Sequence, residues 1–125
     1  MQASTFFLII GSVAMSAFAQ ILLKTGMSNA QIGATLASRR WGELALQVGT
    51  NQWVVLGLLL YFLSAVVWLG VLARVEVSFA YPFVGIGFVF TMLLGWLLMG
   101  DALNVQRVAG TLLIAGGVVL IARGG

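Results

Sequence analysis

Residues 77 to 100 read V-S-F-A-Y-P-F-V-G-I-G-F-V-F-T-M-L-L-G-W-L-L-M-G, from Val77 to Gly100, without one charged side chain. At about 1.5 Å of rise per residue, such a stretch outruns the roughly 30 Å hydrocarbon core of a bilayer and predicts a membrane-spanning helix. Its special feature is the run Ser78, Tyr81, Pro82, Gly85, Gly87. Pro82 lacks a backbone N–H and its ring crowds the preceding turn, so a bend is expected there. Gly85 and Gly87 leave the backbone bare beyond it. Gly87, Thr91 and Gly95 recur at i, i+4 and i+8, a ridge of small residues on which another helix can lie. Pro82, Gly85 and Gly87 thus read as a hinge in a moving helix or as a kink in a packing one. The residues leave both open.

The surrounding composition makes the stretch one of four. The 125-residue chain is 62% hydrophobic and 7% charged, a balance that belongs in a membrane. Spans are expected at about residues 3–24, 53–74, 77–100 and 104–123, joined in a single membrane domain covering 1–125. The fold expected is an all-α bundle of four transmembrane helices with a kinked third helix. A net charge of +3 reflects few acids more than many bases and gives no nucleic-acid footprint. Cysteine and histidine are both absent, which excludes disulfides, thiolate chemistry and histidine metal ligation. No metal, cofactor or catalytic residue is called for. Trp41, Trp53 and Trp96 suit the interfacial belts. The first span lacks a basic leader segment and a small-residue cleavage site, so it is expected to be retained.

Lys24, Arg39, Arg40 and Arg107 fall on one side of the membrane in this scheme, Arg74 and Arg123 on the other. The positive-inside rule leans toward a cytoplasmic location for the first group, by a margin that also permits both orientations.

Within the first span, Thr5, Ser12, Ser16 and Gln20 share one face, and Lys24 continues it to the membrane edge. Serine can bond back to its own helix, whereas the Gln20 amide needs outside partners. This stripe is expected to look into the protein or a wet cavity. A polar helix–helix contact is the alternative, and Lys24 favours a substrate-facing stripe. Gly57, Tyr61, Ser64 and Trp68 form a seam on the second span, with rings suited to a flat or sugar-like ligand or to packing.

Residues 25–52 form a polar connection that can hold a short interfacial helix. Ile32 and Leu36 point away from Leu44 and Val48, so two pieces or an irregular loop fit equally well. The link R-V-E-V, Arg74 to Val77, permits only an antiparallel hairpin, in which Arg74 and Glu76 are expected to neutralise one another. Asn104 is a candidate N-cap. On the last span Gly110, Ile114 and Gly117 recur at four and three, glycine gaps around a branched residue on which a second copy can nest as a dimer contact.

These patterns resemble the drug/metabolite transporter superfamily in its short four-helix form. Gly110, Leu113, Ile114, Gly117 and Val118 match the small multidrug resistance pattern G-L-x-L-I-x-x-G-V, while Thr111 departs from it. Ala80-Tyr81 followed by Gly85-Ile86-Gly87 is similar to that family's bent helix. The resemblance covers all four helices but not the long first loop. In the family's drug–proton antiporters, helix one carries a glutamate eight residues before the lysine at its end, and here that position is Ser16. Glu43, Glu76 and Asp101 all lie outside the spans, so proton coupling of that kind has no titrating group.

A second branch fits better. A-Q-I-L-L-K, Ala19 to Lys24, and A-Y-P, Ala80 to Pro82, resemble the small paired subunits of the 4-amino-4-deoxyarabinose-phosphoundecaprenol flippase. The resemblance implies a bacterial inner-membrane transporter moving a polyprenyl-phosphate-linked sugar, or a similar anionic lipid, between leaflets. It implies a homodimer, or a heterodimer with a similar four-helix subunit. Lys24 and then Arg74 are the candidates for the phosphate. Tyr61, Trp68 and Tyr81 are the candidates for the sugar, and Ser12, Ser16 and Gln20 for its path. The competing expectations are a multidrug-type exporter of cationic compounds and a non-transporting assembly subunit of a lipid-glycan complex.

Overall fold

The computed structural model describes residues 3–124. Among them it contains helices only: α1 (Ala3–Met27), α2 (Ala30–Ala37), α3 (Trp41–Thr50), α4 (Gln52–Leu72), α5 (Val77–Ala80), a 3₁₀ turn (Tyr81–Phe83), α6 (Val84–Met99) and α7 (Val105–Gly124). Four stretches are long and apolar enough to cross a membrane: α1, α4, α5 through α6, and α7. Large apolar side chains face outward along all four, from Phe7 and Phe62 to Leu97 and Leu113. That is the arrangement expected where the surrounding medium is hydrocarbon and the backbone must be paired within each helix.

The connection at 25–52 folds as two short helices, for reasons that lie in its sequence. Asn29 caps α2, its Oδ1 accepting from the amides of Gln31 at 2.8 Å and Ile32 at 3.3 Å. Ile32 and Thr35 bury the inner side of α2. Arg39 then takes a left-handed φ of 56°, a turn that separates the two divergent apolar faces noted above. Asn51 ends the segment by three bonds at once. Its Oδ1 caps α4 through Trp53 and Val54, and its Nδ2 donates to the Gly26 carbonyl of α1 at 3.3 Å.

The main packing is between α1 and α4, which run antiparallel. Their close approach is made by glycine. A β-carbon on Gly26 would stand 2.5 Å from Val54 Cγ2, and one on Gly57 would stand 2.9 Å from the Leu23 side chain and 3.1 Å from the Ala19 carbonyl oxygen. Backbones that meet this closely gain dispersion contact and exclude lipid, the usual basis of helix association in membranes.

Pro82 sits in the 3₁₀ turn that interrupts the third span, so the expected kink is present as a change of helix type. Phe83 of that turn, with Ile9, Val13, Val71, Ala80 and Val118, forms the buried apolar core. Gly87 lies against Val13 of α1, while Gly95 lies against Asp101, whose amide also closes the end of α6 by donating to the Gly95 carbonyl at 3.1 Å. The small-residue ridge is thus shared between a helix and a loop. α7 packs chiefly on α6 and buries Val118 alone. Asn104 caps it, accepting from the Arg107 amide at 2.8 Å.

Arg74 and Glu76 do not pair. Both lie in the link between α4 and α5, and the one ion pair among the described residues is Arg40–Glu43 at 2.8 Å in the exposed α2–α3 corner.

A candidate substrate cavity between three spans

Where α1, α4 and the kinked span from Tyr81 to Val84 meet, they line a half-open cavity of about 240 Å³. Ser12, Val13 and Ser16 line it from α1. Tyr61, Ser64, Ala65 and Trp68 line it from α4, and Tyr81 and Val84 from the kinked span. Each spacing follows from helix geometry. Ser12 and Ser16 stand one turn apart, as do Tyr61 and Ala65, and Ser64 and Trp68. The 3₁₀ turn brings Tyr81 to the rim, where it stays 64% exposed.

The hydroxyls are not equivalent. Ser12 Oγ donates to the Ser64 carbonyl at 2.8 Å across the α1–α4 interface. Ser64 Oγ donates to the Tyr61 carbonyl at 2.6 Å within α4. Both serines have committed their protons and offer only lone pairs to the cavity. Ser16, Tyr61, Tyr81 and the Trp68 indole make no hydrogen bond with a described residue, so they can still donate. The wall therefore presents donors, acceptors and three aromatic rings, and no charge.

The polar stripe of α1 divides along its length. Thr5 and Ser12 are buried, Ser16 is half-buried at the cavity, and Gln20 and Lys24 are exposed outside it. The division comes from the close approach at Gly57, which is filled by Ala19 and Leu23. Gln20, about 100° round from Ala19, is turned away. Lys24 lies two turns beyond Ser16, about 12 Å along the axis. Arg74, also exposed, follows the end of α4. Because α1 and α4 are antiparallel, the two cations stand at opposite ends of the bundle.

Pro82 is half-buried beside the cavity, and Gly85 and Gly87 are buried behind it on α7 and α1. Gly110 and Gly117 on α7 have no atom within 4 Å of where a β-carbon would be, while Ile114 lies against Gly85. Ser64 is a lining residue singled out by the seam on α4 but not as a binding group. Val13, Ala65 and Val84 line the cavity without any signal in the sequence, since apolar side chains in a membrane protein carry no mark of which way they face.

The family model of the Small Multidrug Resistance proteins matches residues 43–114, from α3 into α7. The chain belongs to the small multidrug resistance family. Within it, the chain is similar to proteins named probable 4-amino-4-deoxy-L-arabinose-phosphoundecaprenol flippase subunit ArnE. That of Pseudomonas aeruginosa is 35% identical over 106 residues, which cover 82% of this chain and 90% of the relative. That of Pseudomonas fluorescens is 33% identical over 107 residues, covering 82% and 94%. That of Sodalis glossinidius is 37% identical over 83 residues, covering 66% and 72%. No solved structure matches the chain. At the level of its family, the chain is a multi-pass membrane transporter and not an enzyme.

Proposed function

We propose that the chain moves a polyprenyl-phosphate-linked sugar between the leaflets of a bacterial inner membrane, working as a dimer of four-helix subunits. The observation that carries this reading is the uncharged cavity of rings and hydroxyls between membrane-spanning helices, with Lys24 and Arg74 toward opposite ends of the bundle. Tyr61, Trp68 and Tyr81 would stack on the sugar, whose C–H faces suit aromatic rings and whose hydroxyls suit the mixed donors and acceptors. Ser12 and Ser16 would line its path. Lys24, with Gln20 beside it, would meet the phosphate at one face and Arg74 at the other, while the polyprenyl tail stays in lipid.

The absence of a carboxylate at Ser16 removes the counter-charge that a cationic drug would need, which favours a glycolipid over a multidrug substrate. Turning about Pro82, Gly85 and Gly87 would change which end of the cavity is open, as one repeat of a transporter rocks against the other around a fixed site. A second subunit, the same chain or a similar one, would close the cavity's open side and lie on α7 at Gly110, Ile114 and Gly117. The relatives' designation as subunits supports such a pairing.

Reconstituting the full chain in liposomes with a fluorescent short-chain polyprenyl-phosphate hexose tests the reading. Protein-dependent loss of the outer-leaflet label is expected. Liposomes in which the chain exports quaternary ammonium dyes but leaves the glycolipid where it was would establish the exporter instead.

A further inference from the structure

We infer that α3 lies flat on the bilayer surface, with its Trp41 and Ala45 flank sunk among anionic phospholipid headgroups and its Glu43 and Thr50 flank in water. This holds whatever the chain transports.

The level of α3 is set by its neighbours. α4 has 21 residues, about 31 Å of helix, which only just spans the roughly 30 Å hydrocarbon core. Its first residue, Gln52, therefore stands at the hydrocarbon edge, and α3 ends at Thr50, two residues before it. Asn51 between them is extended, at φ −73° and ψ 121°, so α3 leaves the axis of α4 instead of prolonging it into water. The bond from Asn51 to the Gly26 carbonyl ties the same point to the end of α1.

Round its own axis, α3 sorts its side chains by environment. Leu44, Gln47 and Val48 are half-buried and lie within about 100° of one another, which marks the side packed on α2 and α4. Trp41 and Ala45 stand on one flank of that side and Glu43 and Thr50 on the other, about 160° apart. Both flanks are exposed, and no residue of α3 is buried. A helix held flat beside a bundle has one flank toward lipid and one toward water, and here one flank is apolar and the other polar. Trp41, 60% exposed, has the apolar ring and polar N–H that suit the headgroup level.

Charge names the lipid. Arg39, in the left-handed corner before α3, has no ion-pair partner among the described residues, whereas Arg40 is held by Glu43. With Lys24 and Arg107 at the same end of the bundle, these cations outnumber Glu43 and Asp101. Cations just outside a span are drawn to an anionic phospholipid surface. A protein partner fits less well. The flank is about 15 Å long and 10 Å wide, far below the roughly 1,000 Å² that a specific protein interface buries.

The chain has no cysteine, so single nitroxide labels can be attached without background. The test labels Ala45→Cys and Glu43→Cys in the full chain, in phosphatidylcholine vesicles with and without phosphatidylglycerol. Collision with oxygen, which concentrates in lipid, is compared with collision with neutral nickel ethylenediaminediacetate, which stays in water. The oxygen-to-nickel ratio should be several-fold higher at position 45 than at position 43. Thr50→Cys, which keeps the Arg40–Glu43 pair, should read as position 43 does. Phosphatidylglycerol should raise the ratio at position 45. Arg39→Gln should remove that rise and leave the value in phosphatidylcholine alone unchanged. Equal ratios on the two flanks would put α3 clear of the bilayer and overturn the inference. So would a label at position 45 that is immobilised and shielded from both reagents, which would reveal a protein covering that flank. A ratio at position 45 indifferent to phosphatidylglycerol would overturn the anionic lipid as the partner.

Discussion

Ile114 occupies the space that a side chain on Gly85 would need. A β-carbon built there would lie 2.6 Å from Ile114 Cγ2 and 3.2 Å from Val118 Cγ2. That strip fastens α7 to the kinked span two residues after the 3₁₀ turn, so the fit of one methyl group is coupled to the position of Tyr81 and the cavity.

Gly85→Ala should wedge α7 away from α6 and lower stability by about 1–3 kcal/mol, the usual cost of overpacking. Ile114→Ala in the same chain should restore part of that loss, because it removes the methyl that collides. Thermal denaturation in detergent across the four variants gives the coupling. Strictly additive effects would mean that Gly85 and Ile114 do not share this contact.

Gly110→Leu with Gly117→Leu tests the proposed dimer seam. Both sites face open space within the subunit, so the larger side chains should leave the four-helix fold intact and obstruct a partner. Light scattering should show monomer for the double variant and dimer for the parent chain, with helical content by circular dichroism alike in both. An undiminished dimer places the seam elsewhere.

Lys24→Met keeps the side-chain stem and removes the charge. If Lys24 meets the phosphate, affinity for a polyprenyl-phosphate sugar should fall about tenfold or more, since charge-assisted contacts are among the stronger hydrogen bonds. Lys24→Arg should retain part of it. Arg74→Met should act on the opposite face and slow movement from that side, measured with the label in one leaflet only. Parent-like transport in both single variants would remove the two-ended arrangement.

Ligand affinity should be nearly flat from roughly pH 6 to pH 8, because histidine is absent and no acid lies within a span. A single-proton transition in that interval, measured as binding of a radiolabelled polyprenyl-phosphate hexose to the chain in nanodiscs, would reveal a coupling group. Ser16→Glu should create such a transition where the parent has none.

The four spans, the Pro82 kink and the Asn104 cap were legible in the sequence because each depends on local chemistry: apolar length, a missing N–H, a side-chain oxygen at the right offset. The grouping of Ser12, Ser16, Tyr61, Trp68 and Tyr81 was legible in part, since two polar seams on neighbouring helices and one tyrosine at a kink have few ways to meet. The outward turn of Gln20 was not. It depends on Ala19 and Leu23 filling the notch at Gly57, a contact between residues far apart in the chain and alike in hydropathy. The absence of an Arg74–Glu76 pair was not legible either, because both residues lie in an irregular link whose backbone turns, and not their spacing, set where the side chains point.

The unequal attachment of the spans bears on how the protein assembles in the bilayer. α1 and α4 are stitched at three levels, by Asn51 to Gly26, by Leu23 in the Gly57 notch and by Ser12 to Ser64. α7 is held along one strip and leaves Leu113 78% exposed and Val105 84% exposed. Lipid tails are as apolar as leucine, so α7 is placed by the fit at Gly85, the burial of Val118 and the Thr111 Oγ1–Met92 Sδ contact at 3.2 Å. The first two spans can therefore settle as a hairpin while the chain is still being made, and α7 arrives last as a separate rod. A rod held so lightly can rest on its own α6 or on that of a neighbour with nearly the same fit. Copies made side by side at one insertion site then have a chance to trade their final helices before the bundle closes.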